Sequence, residues 1–314
     1  MVQLGAHVGQ QNMTMDDMRS LWRRLDEARL DWISAWDHLY EVPPAGGGQP
    51  HFEAVATLGA LCAETSHARI GCLVFYVGYR NPAHLARIAV TLDHVSGGRF
   101  ELGLGSGWAE LEARAHGYPF PSLRTRMDMV DEAFPLVRQI LSQERTSHDG
   151  RFYTTSNLSM EPRPVRGHIP MWAGGIGETR TLPLAARHAD GWNAPYVSPG
   201  EFARLNRLLD ERCEAVGRDP SSLERSVNLM FNLATDAAKE HLIEEQLRAQ
   251  WRDMAPRVMG GALLGTPDRA VERVLAYIEA GADGVNVALR SPVDEEALEV
   301  YLSDVVPAVR AAAP

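Results

Sequence analysis

The sequence predicts a (β/α)₈ TIM barrel, an α/β fold in which eight parallel β-strands close into a barrel surrounded by helices. Short apolar runs alternate with longer amphipathic stretches along the 314 residues, and eight such runs can be counted. Continuous apolar runs are typical of strands buried on both faces, as in parallel sheets. Uninterrupted strand–helix alternation favours a parallel sheet, and eight units fit a closed barrel better than an open doubly wound sheet.

Each apolar run leads into a stretch with helical periodicity. Strands are predicted at Gln3–Val8, Trp32–Trp36, Ala68–Tyr76, Phe100–Gly105, Ile169–Gly174, Gly191–Ala194, Val227–Leu233 and Gly284–Ala288. Helices are predicted at Asp16–Arg29, Phe52–Thr65, Pro82–Val95, Arg126–Leu141, Thr179–His188, Pro199–Val216 and Pro267–Ala280.

Two stretches interrupt this alternation. Residues 148–167 are rich in Pro, Arg and Tyr and predict an inserted loop or hairpin. Residues 237–265 predict a mixed-charge helix followed by a glycine-containing loop. Neither has the composition of an interdomain linker, so we expect one domain over residues 1–314.

The composition excludes several classes of protein. With 45% hydrophobic and 23% charged residues the chain is typical of soluble globular proteins. A net charge of −10 argues against a nucleic-acid or anionic-membrane surface as partner, because both require clustered Lys and Arg. There is no signal-peptide pattern at the N-terminus and no apolar run of about 18 residues, so neither secretion nor membrane spanning is expected.

Cysteine and histidine spacing predicts no metal site. Cys62, Cys72 and Cys213 form no C-x-x-C pair, and no H-E-x-x-H motif occurs. The cysteine pattern indicates neither zinc nor a disulfide framework, and a reducing cytoplasm fits best. No G-x-S-x-G motif provides the nucleophile of a serine hydrolase.

The loops after barrel strands build the active site in this fold, so polar residues at strand ends are the first candidates. The second predicted strand ends in Trp36-Asp37-His38. A histidine there can act as a general acid or donate to a developing anion. The alternative is a structural hydrogen bond within the Asp–His pair.

The fourth predicted strand leads into a segment with alternating glycines, Gly103 to Glu110. A dinucleotide-binding G-x-G-x-x-G motif is excluded, because Trp108 stands where the third glycine is needed. Trp108 and Glu110 suit stacking on a planar ligand and proton transfer, whereas the alternative is a tight turn after the strand.

The fifth predicted strand ends in Gly174-Gly175-Ile176-Gly177, immediately before a helix expected to begin near Glu178 or Thr179. Glycines before a helix N-terminus expose backbone N–H groups that bind phosphate. A turn that requires positive φ is the alternative. The sixth strand contributes Trp192 and Asn193 to the same rim.

Taken together, these segments resemble the luciferase-like family of flavin- and deazaflavin-dependent oxidoreductases over nearly the whole chain. The resemblance lies in residues 33–39 (ISAWDHL), 69–74 (RIGCLV), 80–83 (RNPA) and 92–108 (LDHVSGGRFELGLGSGW). Within the family the chain is most similar to the branch that uses coenzyme F420. Members of the family are commonly homodimers, and the resemblance implies the same oligomeric state for this chain.

The resemblance implies a role for each matching position. Asp37 and His38 would lie beside the cofactor ring. The third strand would bulge through a non-prolyl cis peptide, for which Cys72-Leu73 is the first choice and Leu73-Val74 the second. The implied site residues are, for catalysis, His38, Glu110 and Asp37; for the cofactor, Asp37, Cys72, Leu73, Ser106, Gly107, Trp108, Gly174, Gly175, Ile176 and Gly177; and for the substrate, Tyr40, Trp108, Trp192 and Asn193.

The chain departs from the sugar-phosphate dehydrogenases of that branch at Trp108, where they carry a proposed acidic residue, and at Val42, where they carry a tryptophan. A glucose-6-phosphate substrate is therefore disfavoured. We expect hydride transfer between C5 of coenzyme F420 and a small organic substrate, with His38 or Glu110 supplying the proton. The alternatives are an FMN-dependent monooxygenase that activates O₂, and a barrel that binds a flavin-like or phosphorylated ligand without turnover.

Overall fold

The predicted barrel is confirmed in the computed structural model, which describes residues 2–42 and 46–313. The strands are β1 Gln3–Val8, β2 Trp32–Ala35, β3 Arg69–Tyr76, β4 Phe100–Gly105, β5 Thr146–Asp149, β6 Thr154–Leu158, β7 Met171–Gly174, β8 Gly191–Pro195, β9 Glu224–Leu233, β10 Ala262–Gly265 and β11 Gly284–Leu289. The parallel order is β11-β1-β2-β3-β4-β7-β8, and β9 pairs with both β8 and β11. This double pairing closes the barrel.

Helices connect the strands and cover the outside of the barrel. They are α1 Met15–Glu27, α2 Ala54–Glu64, α3 Pro82–Ser96, α4 Glu110–Ala115, α5 Leu123–Ser142, α6 Thr181–His188, α7 Pro199–Ala215, α8 Ala237–Trp251, α9 Ala255–Gly260, α10 Pro267–Glu279, α11 Glu295–Val300 and α12 Val306–Ala312. A π-helical turn, Tyr301–Val305, joins α11 to α12. None of the described helices is both long and apolar enough to cross a bilayer.

Local capping sets the helix boundaries. Thr14 and Asp17 form a reciprocal capping box at the start of α1, which satisfies backbone donors that the first turn leaves unpaired. Asn81 caps α3, whose first residue is Pro82, and Gly97 ends that helix at φ +68°. These residues explain why α3 lies almost where the sequence predicts it.

The two interrupting stretches have different structures. The first forms an antiparallel hairpin of β5 and β6, which is not part of the barrel. The second contains α8, α9 and a strand that the sequence did not predict, β10. This strand pairs with Met230–Leu233 of β9, beyond the residues of β9 that pair with β8. The organisation of residues 1–314 as one domain stays a prediction.

The barrel interior is closed at the amino ends of its strands. Arg69 forms ion pairs at 2.8 Å with Glu101 and with Glu224, and it also contacts Gln3. Burial raises the pKa of Glu101 to about 7, although Arg69 opposes the shift. All four residues lie at or near the start of a barrel strand. Above them, Trp32, Trp172 and Leu73 pack together in an apolar layer.

Candidate active site

A cavity of about 320 Å³ opens at the carboxyl ends of the barrel strands, on the opposite side from the ionic layer of Arg69. The predicted site residues that line it are Asp37, His38, Leu73, Ser106, Gly107, Trp108, Gly174, Gly175 and Asn193. Those that do not are Tyr40, Cys72, Glu110, Ile176, Gly177 and Trp192. The predicted strand ends therefore lie at the cavity, and the roles of the individual side chains stay predictions.

A bulge in β3 lies beneath the cavity. The register of β3 on β4 shifts between Cys72 and Phe75, and the non-prolyl cis bond is Leu73-Val74. The first choice, Cys72-Leu73, is wrong: Cys72 still pairs in register with Leu102. The buried Cys72 side chain belongs to the core between strands and helices, whereas Leu73 packs inside the barrel and lines the cavity.

Glycines on the neighbouring strands make room for Val74. A Cβ on Gly105 would lie 2.4 Å from a Val74 methyl group, and one on Gly174 would lie 2.7 Å from the other. Any larger residue at these positions would displace Val74. The cavity is thus lined by the apolar side chains of Leu73 and Val74, next to the backbone of Gly105 and Gly174.

His38 is held by a buried carboxylate that the sequence did not suggest. Nδ1 of His38 lies 2.7 Å from Oε1 of Glu112, and the Tyr79 hydroxyl donates to the same oxygen at 3.0 Å. The backbone N–H groups of Leu39 and Tyr40 donate to Oε2 at 2.9 and 3.0 Å. Glu112 therefore accepts four hydrogen bonds.

These contacts determine the ionisation of Glu112 and the tautomer of His38. Burial alone would raise the pKa of Glu112, but the hydrogen bonds from His38 and from the backbone outweigh it and lower the pKa. Burial and the Glu112 charge raise the pKa of Tyr79, which keeps its hydroxyl a donor. An ionised carboxylate only accepts, so Nδ1 of His38 carries a proton and Nε2 is left for the cavity.

Glu110, a candidate catalytic residue from the sequence, does not line the cavity. Its carboxylate is more than half exposed and pairs with Arg114 at 2.6 Å, one turn along α4. Positions two apart on a helix lie on nearly opposite faces, so Glu110 faces solvent where Glu112 faces the barrel. The sequence analysis did not predict α4 and could not make this distinction.

Asp37 lines the cavity but is bound to other protein groups. Both of its oxygens accept from Arg80, at 2.8 and 2.7 Å, and one also accepts from the Tyr76 N–H at 3.0 Å. Burial raises the pKa of Asp37 to about 6, and Arg80 limits the rise. These bonds connect the end of β2 to the end of β3, so Asp37 fixes the geometry around His38.

The predicted phosphate loop, Gly174–Gly177, lies between β7 and α6. Helix α6 begins at Thr181, later than expected, because Glu178–Arg180 form a separate turn. The Gly175 N–H donates to the Asn193 carbonyl at 3.0 Å and is not available to a ligand. The N–H groups of Ile176 and Gly177 donate to no other group among the described residues.

Trp192 supports this loop from behind and does not contact the cavity. Its indole stacks on Phe202 and donates to the Gly175 carbonyl at 2.8 Å. Alternation along β8 turns Trp192 towards the helices and Asn193 towards the cavity. Tyr40 is also placed away from the cavity, with its ring 5.0 Å from that of His116.

The sequence analysis missed several residues that line the cavity. Each lies at the end of a strand, and the residues next to it in the sequence form no recognisable motif. His7 lies near the end of β1, and its ring nitrogen Nδ1 is 2.9 Å from the hydroxyl oxygen of Ser34 on the neighbouring strand β2. Burial and the Arg290 charge lower the pKa of His7 to about 3, so this imidazole is neutral. Arg290 follows β11 directly.

Among the described residues no cluster of three or more His, Cys, Asp or Glu side chains could hold a metal ion.

The site has the features that a tricyclic cofactor with a phosphate requires. It offers the apolar surface of Leu73 and Val74 and aromatic rings at Trp36 and Trp108. Backbone donors at Ile176 and Gly177 lie in the loop that continues from the cavity-lining Gly174 and Gly175. The model of the luciferase-like monooxygenase family matches residues 1–284. The chain belongs to the luciferase-like monooxygenase family. It is accordingly a flavin- or deazaflavin-dependent oxidoreductase.

Two curated relatives illustrate what the chain is similar to. An uncharacterized Mycobacterium tuberculosis protein is 32% identical over 225 residues, 71% of this chain and 72% of that protein. An F420-dependent glucose-6-phosphate dehydrogenase of Kribbella flavida is 26% identical over 329 residues, 91% of this chain and 92% of that protein.

Solved structures of this fold contain either kind of cofactor. An F420-dependent secondary alcohol dehydrogenase in complex with an F420-acetone adduct matches with a TM-score of 0.85 at 19% identity, covering 98% of this chain and 99% of the other. The oxygenating constituent of the Pseudomonas putida 3,6-diketocamphane monooxygenase, in complex with FMN, matches with a TM-score of 0.76 at 18% identity, covering 98% and 99%. At these identities the likeness shows the fold.

Proposed function

We propose that this luciferase-like protein is a coenzyme F420-dependent oxidoreductase that transfers a hydride between C5 of the deazaflavin and a small organic substrate. The observation that carries the proposal is His38, held by the ionised Glu112 at the edge of a cavity whose base is Leu73-Val74. The similarity to the Kribbella flavida dehydrogenase over 91% of the chain supports F420 as the cofactor.

In this proposal Leu73, Val74, Gly107 and Trp108, which line the cavity, would hold the ring system. The N–H groups of Ile176 and Gly177, in the loop that continues from the cavity-lining Gly175, would bind the phosphate. When bound, the deazaflavin supplies or accepts the hydride. The protein positions the reacting atoms and excludes water from them.

His38 is the proposed proton donor in the reductive direction. With Nδ1 bonded to Glu112, the proton available to a bound substrate would be the one on Nε2 of His38, a residue that lines the cavity. The proton goes to the substrate atom on which negative charge develops as the hydride arrives. Glu112 stabilises the imidazolium before that transfer, so it is a positioning residue and His38 the catalytic one. In oxidation the same Nε2 accepts the proton.

Cofactor titration tests this proposal. Coenzyme F420 and FMN are each added to the purified protein, and binding is followed by fluorescence quenching. We expect F420 to bind more tightly and to be reduced or reoxidised with a member of a panel of alcohols, ketones, enones and imines. His38→Ala should reduce that rate about 10²–10⁴-fold while F420 still binds. Tight binding of F420 without turnover of any panel member would favour a non-catalytic binding barrel.

A second candidate is an FMN-dependent monooxygenase, which the 3,6-diketocamphane monooxygenase structure favours. It predicts preferential binding of FMN and transfer of an oxygen atom from O₂ to an organic substrate when reduced FMN is supplied, and neither is expected of an F420 enzyme.

We further propose that the protein is a cytoplasmic homodimer. The three cysteines are free and buried, which suits a reducing compartment. Light scattering of the purified protein measures the oligomeric state directly.

A further inference from the structure

Arg290 is rigidly placed at the rim of the cavity. It follows the last residue of β11, Leu289, and lines the cavity near Trp36 and Tyr196. Its guanidinium carbon lies 5.6 Å from the centroid of each of these rings, and it donates to the Tyr196 hydroxyl at 3.2 Å. Aromatic faces favour a planar cation in this position and restrict its rotation.

The charge of Arg290 is not balanced by the protein. At the same cavity, Asp37 is neutralised by Arg80, and Glu112 is bonded to His38. Within residues 2–42 and 46–313, by contrast, no carboxylate lies within ion-pair distance of Arg290, and its Nε is buried without a hydrogen-bond partner. The neighbouring His7 is neutral and contributes no negative charge. A buried donor without a partner is costly unless a ligand satisfies it.

The position of Arg290 separates it from the proposed phosphate loop. That loop follows β7, and Arg290 follows β11, which is three strands further around the barrel. Arg290 instead follows the neighbour of β1, the strand that carries His7, and lies beside Trp36, two residues before His38. Arg290 and His38 line the same cavity, so one bound molecule could contact both.

We propose that Arg290 binds a carboxylate, or a similar planar oxyanion, of the substrate. The inference rests on the proposed function and narrows its substrate class to organic acids in which the bond to be reduced lies close to the carboxylate. Guanidinium groups bind carboxylates through two parallel hydrogen bonds, which fixes orientation as well as affinity. The same anion-binding chemistry could instead serve a negatively charged part of the cofactor ring, and the experiment below separates the two.

The test compares acids with amides of the same shape. Propionate and propionamide, benzoate and benzamide, and cinnamate and cinnamamide are titrated calorimetrically into the free protein and into the F420-loaded protein at pH 7.5. Wild type, Arg290→Gln and Arg290→Lys are compared. Arg114→Gln is the control, because Arg114 lies on the surface and pairs with Glu110. The F420 dissociation constant of each variant is measured separately by fluorescence quenching.

We expect the wild type and the control to bind at least one acid about 10–100-fold more tightly than its amide, as hydrogen bonds to charged groups allow. Arg290→Gln should abolish this preference and leave F420 affinity within about twofold, and Arg290→Lys should retain part of it. The inference is overturned if no acid is preferred, or if Arg290→Gln weakens F420 binding and leaves the acid preference intact. Failure of the wild type to bind F420 would contradict the proposed function instead, because the acid preference is also measured on the free protein.

Discussion

Replacing Glu112 by Gln should reverse the tautomer of His38. In the wild type both Glu112 oxygens accept, Oε1 from His38 and Tyr79 and Oε2 from two backbone N–H groups. The amide of Gln can keep one acceptor oxygen, and the two backbone donors require it at the Oε2 position. Its NH₂ group must then face Nδ1 of His38. Nδ1 consequently becomes an acceptor and the imidazole proton moves to Nε2, while the Tyr79 hydroxyl can rotate to accept.

The magnitude follows from the lost charge. A hydrogen bond to a charged group contributes about 1.5–3 kcal/mol, so an imidazolium at His38 loses that stabilisation when Glu112 becomes neutral. A step that requires the imidazolium should slow by about 10–150-fold, since 1.4 kcal/mol corresponds to a factor of ten. The variant conserves size and both backbone hydrogen bonds, so the free energy of unfolding should fall by only about 1 kcal/mol.

Two measurements check this expectation. Nitrogen-15 NMR of histidine-labelled protein reports which ring nitrogen of neutral His38 carries hydrogen, and it requires no substrate. Single-turnover oxidation of bound reduced F420, followed at 420 nm with an active panel substrate, reports the rate. Glu110→Gln is the matched control on the same helix. Its ion pair with Arg114 is exposed, so rate and tautomer should be unchanged within about twofold.

The reasoning would be refuted if Glu112→Gln kept the Nδ1–H tautomer and the full rate. Equal losses in Glu110→Gln and Glu112→Gln would also contradict it, because only one of the two carboxylates contacts His38.

Three further changes have expected outcomes. Gly105→Ala should destabilise the fold by about 1–3 kcal/mol in urea unfolding, because the new methyl would collide with Val74 at 2.4 Å. The pKa of His7 is about 3 in the folded protein against an ordinary 6.5, so His7 contributes stability above pH 6.5 that is lost as the pH falls towards 3. Between pH 6.5 and 3 the free energy of unfolding should therefore fall by about 1.4 kcal/mol per pH unit because of His7, and His7→Asn should remove this slope. Trp192→Phe deletes the hydrogen bond to the Gly175 carbonyl and should weaken cofactor binding about 3–10-fold in the fluorescence titration.

Each of these changes has a control. Gly59→Ala places a methyl group where nothing lies within 4 Å, in the middle of α2, and should stabilise by up to about 1 kcal/mol. His241→Asn alters an exposed histidine and should leave the acid slope unchanged. Trp251→Phe, at the end of α8, should leave cofactor affinity unchanged. A Gly105→Ala protein as stable as the wild type, an acid slope that survives in His7→Asn, or an unaltered cofactor affinity in Trp192→Phe would each contradict the corresponding account.

The barrel could be predicted because parallel strands buried on both faces leave continuous apolar runs in the sequence. Strand β10 left no such run: its four residues, Ala262–Gly265, follow α9 directly and end in glycine. A strand this short is stabilised by its pairing with the extended end of β9. That pairing is a tertiary contact and leaves no local pattern in the sequence.

The strand ends could be predicted and the orientation of each side chain could not. Trp192 and Asn193 are adjacent in sequence, and the pleat sends one to the helices and the other to the cavity. Glu110 and Glu112 differ in the same way, through the periodicity of a helix that the sequence analysis did not include. Arg290 gave no pattern at all, since its significance comes from having no carboxylate within ion-pair distance among residues 2–42 and 46–313.

The ionic layer of Arg69, Glu101 and Glu224 has a kinetic consequence. It seals the amino end of the barrel, so a cofactor and a substrate that meet in the cavity enter and leave through one opening. If one of the two ligands lies deeper than the other, it has to arrive first and depart last. Steady-state turnover should therefore follow a compulsory order of addition, and saturating the outer ligand should slow the release of the inner one.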